Sequence, residues 1–186
     1  MTDSQQLTDT PAMAEQLIID AGHLSGVVAA GGDWTADSPC EGWTAADVVD
    51  HLIETQRDFF GQHGADLGDE PDGSAADRWA EHWSRLEPRL TPELMVTEFS
   101  GALGTTTVGA ALSTFYGLDL LVHRWDLGQA LGQQVDFTDD ELSRIETILD
   151  QLGDNLYTYG ASKPPLPVPT GASRQVAVLA RLGRRA

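Results

Sequence analysis

Cysteine, positive charge and long apolar runs are all scarce in this 186-residue sequence, and each shortage excludes something. A single cysteine, Cys40, excludes an internal disulfide framework and any CxxC zinc ribbon. Lys and Arg total 11 against 29 Asp and Glu, a formal net charge of −18. An anionic surface of that size repels phosphate backbones and anionic headgroups, so neither nucleic acid nor a membrane surface is an expected partner. No stretch reaches the ~18–20 uninterrupted apolar residues of a membrane span. The most apolar region, 108–131, is broken by Ser113, Thr114, Asp119, His123, Arg124 and Asp126. The opening MTDSQQLTDT has neither the basic start nor the apolar core of a secretory signal, and the expected location is the cytoplasm. What is present is an ordinary globular balance, 41% hydrophobic and 22% charged, in one domain's worth of chain. A fold of this size buries roughly 70% of the surface of its unfolded chain and needs no staples.

Periodicity predicts a mostly helical chain. Residues 1–11 read as a disordered lead-in, and 12–186 as a single helical domain. Met13, Leu17, Ile18, Ala21, Leu24, Val27 and Val28 recur at three- and four-residue steps and predict a first helix over 12–30, ended by Gly31-Gly32. Thr44, with Asp47 three residues on, resembles a capping box and opens a second helix. Its apolar face is Val48, Val49, Leu52, Ile53, Phe59 and Phe60. A third helix spans 75–90. Val96, Thr97 and Phe99 favour an extended segment, and Gly101 with Gly104 suggests the turn of a small hairpin. A fourth helix is expected over 108–131 and a fifth over 139–153. KPPLPVP is an extended spacer, and a short last helix covers 172–182. The expected architecture is an all-α bundle of four long helices with a short extra C-terminal helix.

The fourth helix carries the chemistry. Apolar residues surround it almost completely, at Phe115, Leu118, Leu120, Leu121, Val122, Trp125 and Leu127, so it is expected to be buried. At ~100° per residue, Asp119, His123 and Asp126 nevertheless fall within one stripe about 60° wide. Buried ionisable groups are costly unless they pair or bind a metal. Asp119 and His123, at i and i+4, are neighbours one turn apart and can converge on one ion. The same spacing also serves a purely structural hydrogen bond. A catalytic zinc wants three protein ligands and an open position. The best third candidate is His51, at the edge of the second helix. Glu54 and Asp47 on that helix are candidates to hold its other ring N–H, and Asp126 is either a further supporting group or a partner for Arg124 or Arg144. Cys40, just before the Gly42-Trp43 turn, reads first as a small residue shaping its loop, and second as a reactive thiol whose pKa is lowered near the helix start at Thr44. The five tryptophans read as core or loop anchors, any of which can floor a pocket. GALGTTT lacks the Lys of a phosphate-binding loop, and no GxSxG motif supports a serine hydrolase.

The stretches SPCEGWTAADVVDHL and DLLVHRWDLGQALG together resemble the N-terminal domain of mycothiol-dependent maleylpyruvate isomerase and the wider DinB-like metal-binding superfamily. The closing PPLPVPTGASRQVAVLARLGR resembles the tail of a single-domain branch of that family. The resemblance runs from about Ala14 to Arg185 and implies a four-helix bundle with a divalent metal at one end. The family's first histidine falls on His51, and its acidic-xxx-His pair on Asp119 and His123. The isomerase has Glu where this chain has Asp119, one methylene shorter, which requires the helix to sit closer to the ion. The isomerase also carries a second domain that these 186 residues do not include, so the implied property is metal binding rather than maleylpyruvate isomerisation itself. Two imidazoles and a carboxylate suit Zn, Ni or Fe. By resemblance the cofactors are a divalent metal, Zn foremost, and mycothiol or another small thiol. The implied activity is a thiol-dependent S-transfer or isomerisation of an electrophilic substrate. A bundle that binds metal or a small ligand without turnover, in a stress-response or partner-binding role, is the alternative.

Overall fold

The computed structural model describes residues 3–101, 104–158 and 162–186, with side chains from Ala12 onward within those ranges. The chain packs as two compact units, Met1–Gln133 and Gln134–Ala186, where the sequence reading has one domain over 12–186. Helix α1 spans Asp3–Ala30, α2 Ala45–Gln62 and α3 Ala75–Leu86. A helical turn, α4 (Pro92–Met95), precedes the hairpin strands β1 (Glu98–Gly101) and β2 (Gly104–Thr107). Then come α5 (Val108–Ala111), a π-helical turn over Leu112–Tyr116, and α6 (Gly117–Ala130). The second unit holds α7 (Asp139–Leu152), α8 (Asn155–Thr158) and α9 (Arg174–Arg181). The expected lead-in over 1–11 lies outside the residues whose side chains are described.

In the first unit α6 packs against both α1 and α2, and α3 packs against the same two helices. The core they share includes Leu24, Leu52, Phe60, Trp79, Leu120, Leu121 and Trp125, all almost fully buried. Its inward polar groups find partners. Trp79 Nε1 donates to Ser25 Oγ at 2.8 Å, and His82 Nε2 meets Gln56 Oε1 at 2.8 Å. The capping boxes are complete at both Thr44, where the spacing predicts one, and Ser74, and α2 and α3 begin at the expected residues.

Three expectations shift. The third helix ends at Leu86 rather than near Leu90, because Pro88 supplies no N–H and the chain tightens into a 3₁₀ turn over Glu87–Arg89. The hairpin is present, with Phe99 opposite Thr106 and Gly101 opposite Gly104, but Val96 and Thr97 lie before it and its turn residues are outside the described set. The single helix expected over 108–131 is interrupted by the π turn, which inserts one residue into the register. Gly109 enables the entry into this segment: a Cβ there would meet Met95 O at 2.9 Å.

The second unit is a smaller helical packing of α9 on α7. Its contacts are electrostatic at the surface. Arg174 grips Glu146 with two N–H groups at 3.0 and 2.7 Å, and Arg181 Nη2 reaches Asp150 at 2.7 Å. The spacer over 163–169 has no helix or strand and is tied down where Leu166 N donates to Ala180 O at 2.9 Å.

Candidate metal centre

All groups of this site belong to the first unit. The loop before α2 is drawn into a tight turn. Ser38 N donates to Trp43 O at 2.8 Å, Trp43 N to Cys40 O at 3.0 Å, and Cys40 N to Ser38 Oγ at 3.2 Å. Gly42 stands at φ +78°, a conformation that a side chain would strain. The turn presents Cys40 and Trp43 on one side and delivers the chain into the Thr44 cap. One and three-quarter turns into α2 comes His51.

His51 Nε2 lies 3.5 Å from Asp119 Oδ2. The His51 and His123 rings approach edge to face, with centroids 5.1 Å apart at 70°. One donor atom each from His51, Asp119 and His123 fall within 4.8 Å of one another. Trp43 lies over both imidazoles, 4.8 Å from the His51 centroid and 6.1 Å from that of His123, so it is the tryptophan that floors a site. The group is half open. The side chain of His123 is 8% exposed, against 28% for His51 and 37% for Asp119, so water reaches it from one side. The π turn leaves the Asp119/His123/Asp126 stripe intact, because all three residues follow it within the regular α6.

Asp126 is fully buried, and its Oδ2 accepts from His123 Nδ1 at 2.9 Å and from the Cys40 thiol at 3.4 Å. A carboxylate on one ring nitrogen fixes the tautomer and leaves the other nitrogen as the ligating one. Asp126 is thus beside the candidate site, while Arg124 reaches the His23 ring, Nη1 to Nδ1, at 3.1 Å. Asp47 is not available to His51. Its Oδ2 accepts from both Thr44 N at 2.7 Å and Thr44 Oγ1 at 2.6 Å, and these bonds hold its carboxyl below the usual range. Glu54 is exposed and lines a different cleft with Asp50, Ile53, Glu70, Pro71 and Arg78. Asp47 thus serves the helix cap, and Glu54 faces a different cleft.

Two neighbours were not placed at this site by the sequence reading. The Cys40 thiol, 3.9 Å from His123 Nδ1, is one; its place two residues before Gly42 in the turn that precedes the His51 helix was the available signal. Tyr116 is the other. Its phenol is held well above its ordinary value, first by burial and then by the Asp119 and Asp58 carboxylates, so it stays protonated. Its hydroxyl makes a long contact, 3.4 Å, with Thr55 O.

A mostly helical unit that gathers two imidazoles and a carboxylate from two helices is consistent with the all-α DinB-like class. Within it, residues 21–89 match the family model of the mycothiol maleylpyruvate isomerase N-terminal domain, a DinB-like family domain. The match takes in Cys40, Trp43 and His51 and stops before Asp119 and His123. Comparison with curated proteins and with solved structures gives no match. Among the described residues no helix is long and apolar enough to cross a membrane.

Proposed function

We propose that the first unit is a DinB-like four-helix bundle of α1, α2, α3 and α6, in which His51, Asp119 and His123 hold a divalent cation. Zn is the expected ion, with Ni and Fe suited to the same donors. The protein is then a metal- and thiol-dependent transferase or isomerase of the cytoplasm, acting on a small electrophilic substrate with mycothiol or a similar thiol. The observation that carries this is the meeting of three donor atoms within 4.8 Å on a chain whose residues 21–89 match the mycothiol isomerase N-terminal domain. The donor set passes a test of fit. It mixes nitrogen and oxygen ligands, keeps one side open to water, and shows 3.5 Å between His51 Nε2 and Asp119 Oδ2 despite the shorter Asp.

A cation bound there supplies one thing, the acidification of a thiol or water at its open position, so that the anion is present at neutral pH. The remaining work falls to the chain. Asp126 keeps the His123 proton on Nδ1 and turns Nε2 outward. Trp43 packs against the two rings and restricts how they turn. Tyr116, kept protonated, is a hydrogen-bond donor one turn before Asp119.

The test is elemental analysis of the purified protein beside His123→Ala, followed by thiol-dependent consumption of a model electrophile. About one equivalent of metal in the wild type, lost in the variant, together with turnover only when thiol and metal are both present, is the expected result. Negligible metal in both proteins ends the reading. Metal uptake with no turnover selects the alternative, a non-catalytic metal- or ligand-binding bundle.

A further inference from the structure

His123 faces two different sets of donors. Beyond the set with His51 and Asp119, one atom each from Cys40, His123 and Asp126 also lie within 4.8 Å of one another. Their separations are 3.9 Å from Cys40 Sγ to His123 Nδ1, 3.4 Å from Sγ to Asp126 Oδ2, and 2.9 Å from Nδ1 to Oδ2. A tetrahedral ion with sulfur at ~2.3 Å and nitrogen or oxygen at ~2.0–2.1 Å sets its ligands roughly 3.3–3.6 Å apart. The 3.4 Å edge already has that size, the 3.9 Å edge must close by about 0.3 Å, and the 2.9 Å edge must open by about half an ångström.

We propose that Cys40, His123 and Asp126 form a second cation site that takes a thiophilic divalent ion of the zinc–cadmium class in place of the hydrogen bonds that Cys40 and His123 now make to Asp126. The turn that carries Cys40 is held by the Ser38–Trp43 hydrogen bonds, so the sulfur is set in position before any ion arrives. Cys40 is half-buried, which gives an entry path and a solvent ligand, while Asp126 is fully buried and supplies the charge. A thiolate beside an imidazole favours softer ions than two imidazoles and a carboxylate do.

The protons balance simply. The Cys40 S–H proton and the His123 Nδ1 proton leave, the neutral ring re-protonates at Nε2, and one proton is released to solvent. That ring then has no lone pair to offer toward His51 and Asp119. Ions at the two sites exclude each other through a single imidazole, and a thiophilic cation removes a ligand from the first site without touching His51 or Asp119. The inference rests on Cys40, His123 and Asp126 alone and stands even if the first set carries no metal.

Cadmium is the probe. Metal-free protein is titrated with Cd²⁺ while the thiolate-to-cadmium ultraviolet absorption is followed. Cys40 is the single cysteine, so any such band reports it. The expected result is a band saturating at one ion per chain, absent in Cys40→Ser, retained in Asp119→Asn, and about tenfold weaker in apparent affinity in Asp126→Asn. Circular dichroism of each variant confirms folding. In zinc-loaded wild type, Zn²⁺ should be released in step with the band. No band in the wild type, a band lost in Asp119→Asn, saturation at one ion per two chains, or undiminished affinity in Asp126→Asn each overturns the proposal. Full retention of zinc beneath a full band overturns the exclusion. Asp119→Asn keeps the two readings apart, since it strips the first set and leaves this one.

Discussion

Helix α2 keeps its charged residues on one side and buries Val48, Val49, Leu52, Ile53, Phe59 and Phe60 on the other, with Gln56 as its one inward amide. Helix α6 has no such division. From Leu120 through Gly128 every residue is buried, His123, Arg124 and Asp126 included. The two helices pack together and share one candidate site, yet their polar groups are there for different reasons. On α2 a histidine at the edge of the apolar face costs nothing, since water remains in reach. On α6 each ionisable group must be matched by a partner or an ion, because an unpaired buried charge is strongly unfavourable. The carboxylate of Asp126 on the His123 ring is such a match. A functional residue is therefore hard to see on an amphipathic helix and conspicuous on one buried all round.

The largest effect should come from removing volume from the helix that has no exposed side. Trp125, 2% exposed, fills the interior of the first unit. Trp125→Ala is expected to lower unfolding stability by about 3–5 kcal/mol. Glu54→Ala, on the solvent face of α2, should stay within about 0.5 kcal/mol of wild type. Urea denaturation measures both. A Trp125→Ala loss no larger than that of Glu54→Ala would show that α6 is not the enclosed element described here.

This contrast also explains what could be read in advance. The starts of α2, α3 and α7 were legible because Thr44, Ser74 and Thr138 each make a short-range capping box, which local sequence determines. Asp119 and His123 were legible because polar residues on one stripe of an apolar helix are an anomaly. The π turn over Leu112–Tyr116 was not, since nothing in LSTFY breaks a helical pattern and the inserted residue is a product of packing. The engagement of Asp47 with Thr44 and the cleft that Glu54 lines were not legible, because periodicity gives the face of a helix and not which neighbour a carboxylate prefers. Cys40 is an intermediate case: its turn was visible, but its approach to His123 spans 83 positions and only the fold brings them together.

A second prediction sets one helix's inward polar pair against the other's. Gln56 of α2 meets His82, whose ring is fully buried and held neutral, its value lowered from 6.5 to about 4 by burial first and then by Arg57 and Arg85. Above pH 6.5 the ring is neutral whether the chain is folded or not, and the interaction costs nothing. As the pH falls below 6.5 the unfolded chain takes up a proton that the folded one refuses until about 4, so stability drops across that window. The loss is on the order of 2–3 kcal/mol. Unfolding curves at steps across this range should show the decline, and His82→Leu should flatten it whatever its absolute stability. An unchanged slope in that variant would assign the acid sensitivity to the carboxylates instead.

The smallest effect is the most local. Thr44 caps α2, and its side chain accepts from Asp47 N at 3.3 Å while the Asp47 carboxylate bonds back to it. Thr44→Ala should cost about 1 kcal/mol. The consequence for the site should exceed what that figure suggests, because the cap also joins α2 to the turn bearing Trp43 and Cys40. Fraying of the first turn of α2 loosens the Trp43 ring over His51 before it disturbs the core, whereas α6, buried from Leu120 through Gly128, stays in place. Trp43 fluorescence and hydrogen exchange of the 44–48 amides should therefore change at temperatures where Trp125 and the α6 amides remain protected. Uniform loss of protection across both helices would mean that α2 and α6 open as one unit and that the contrast between them is one of composition alone.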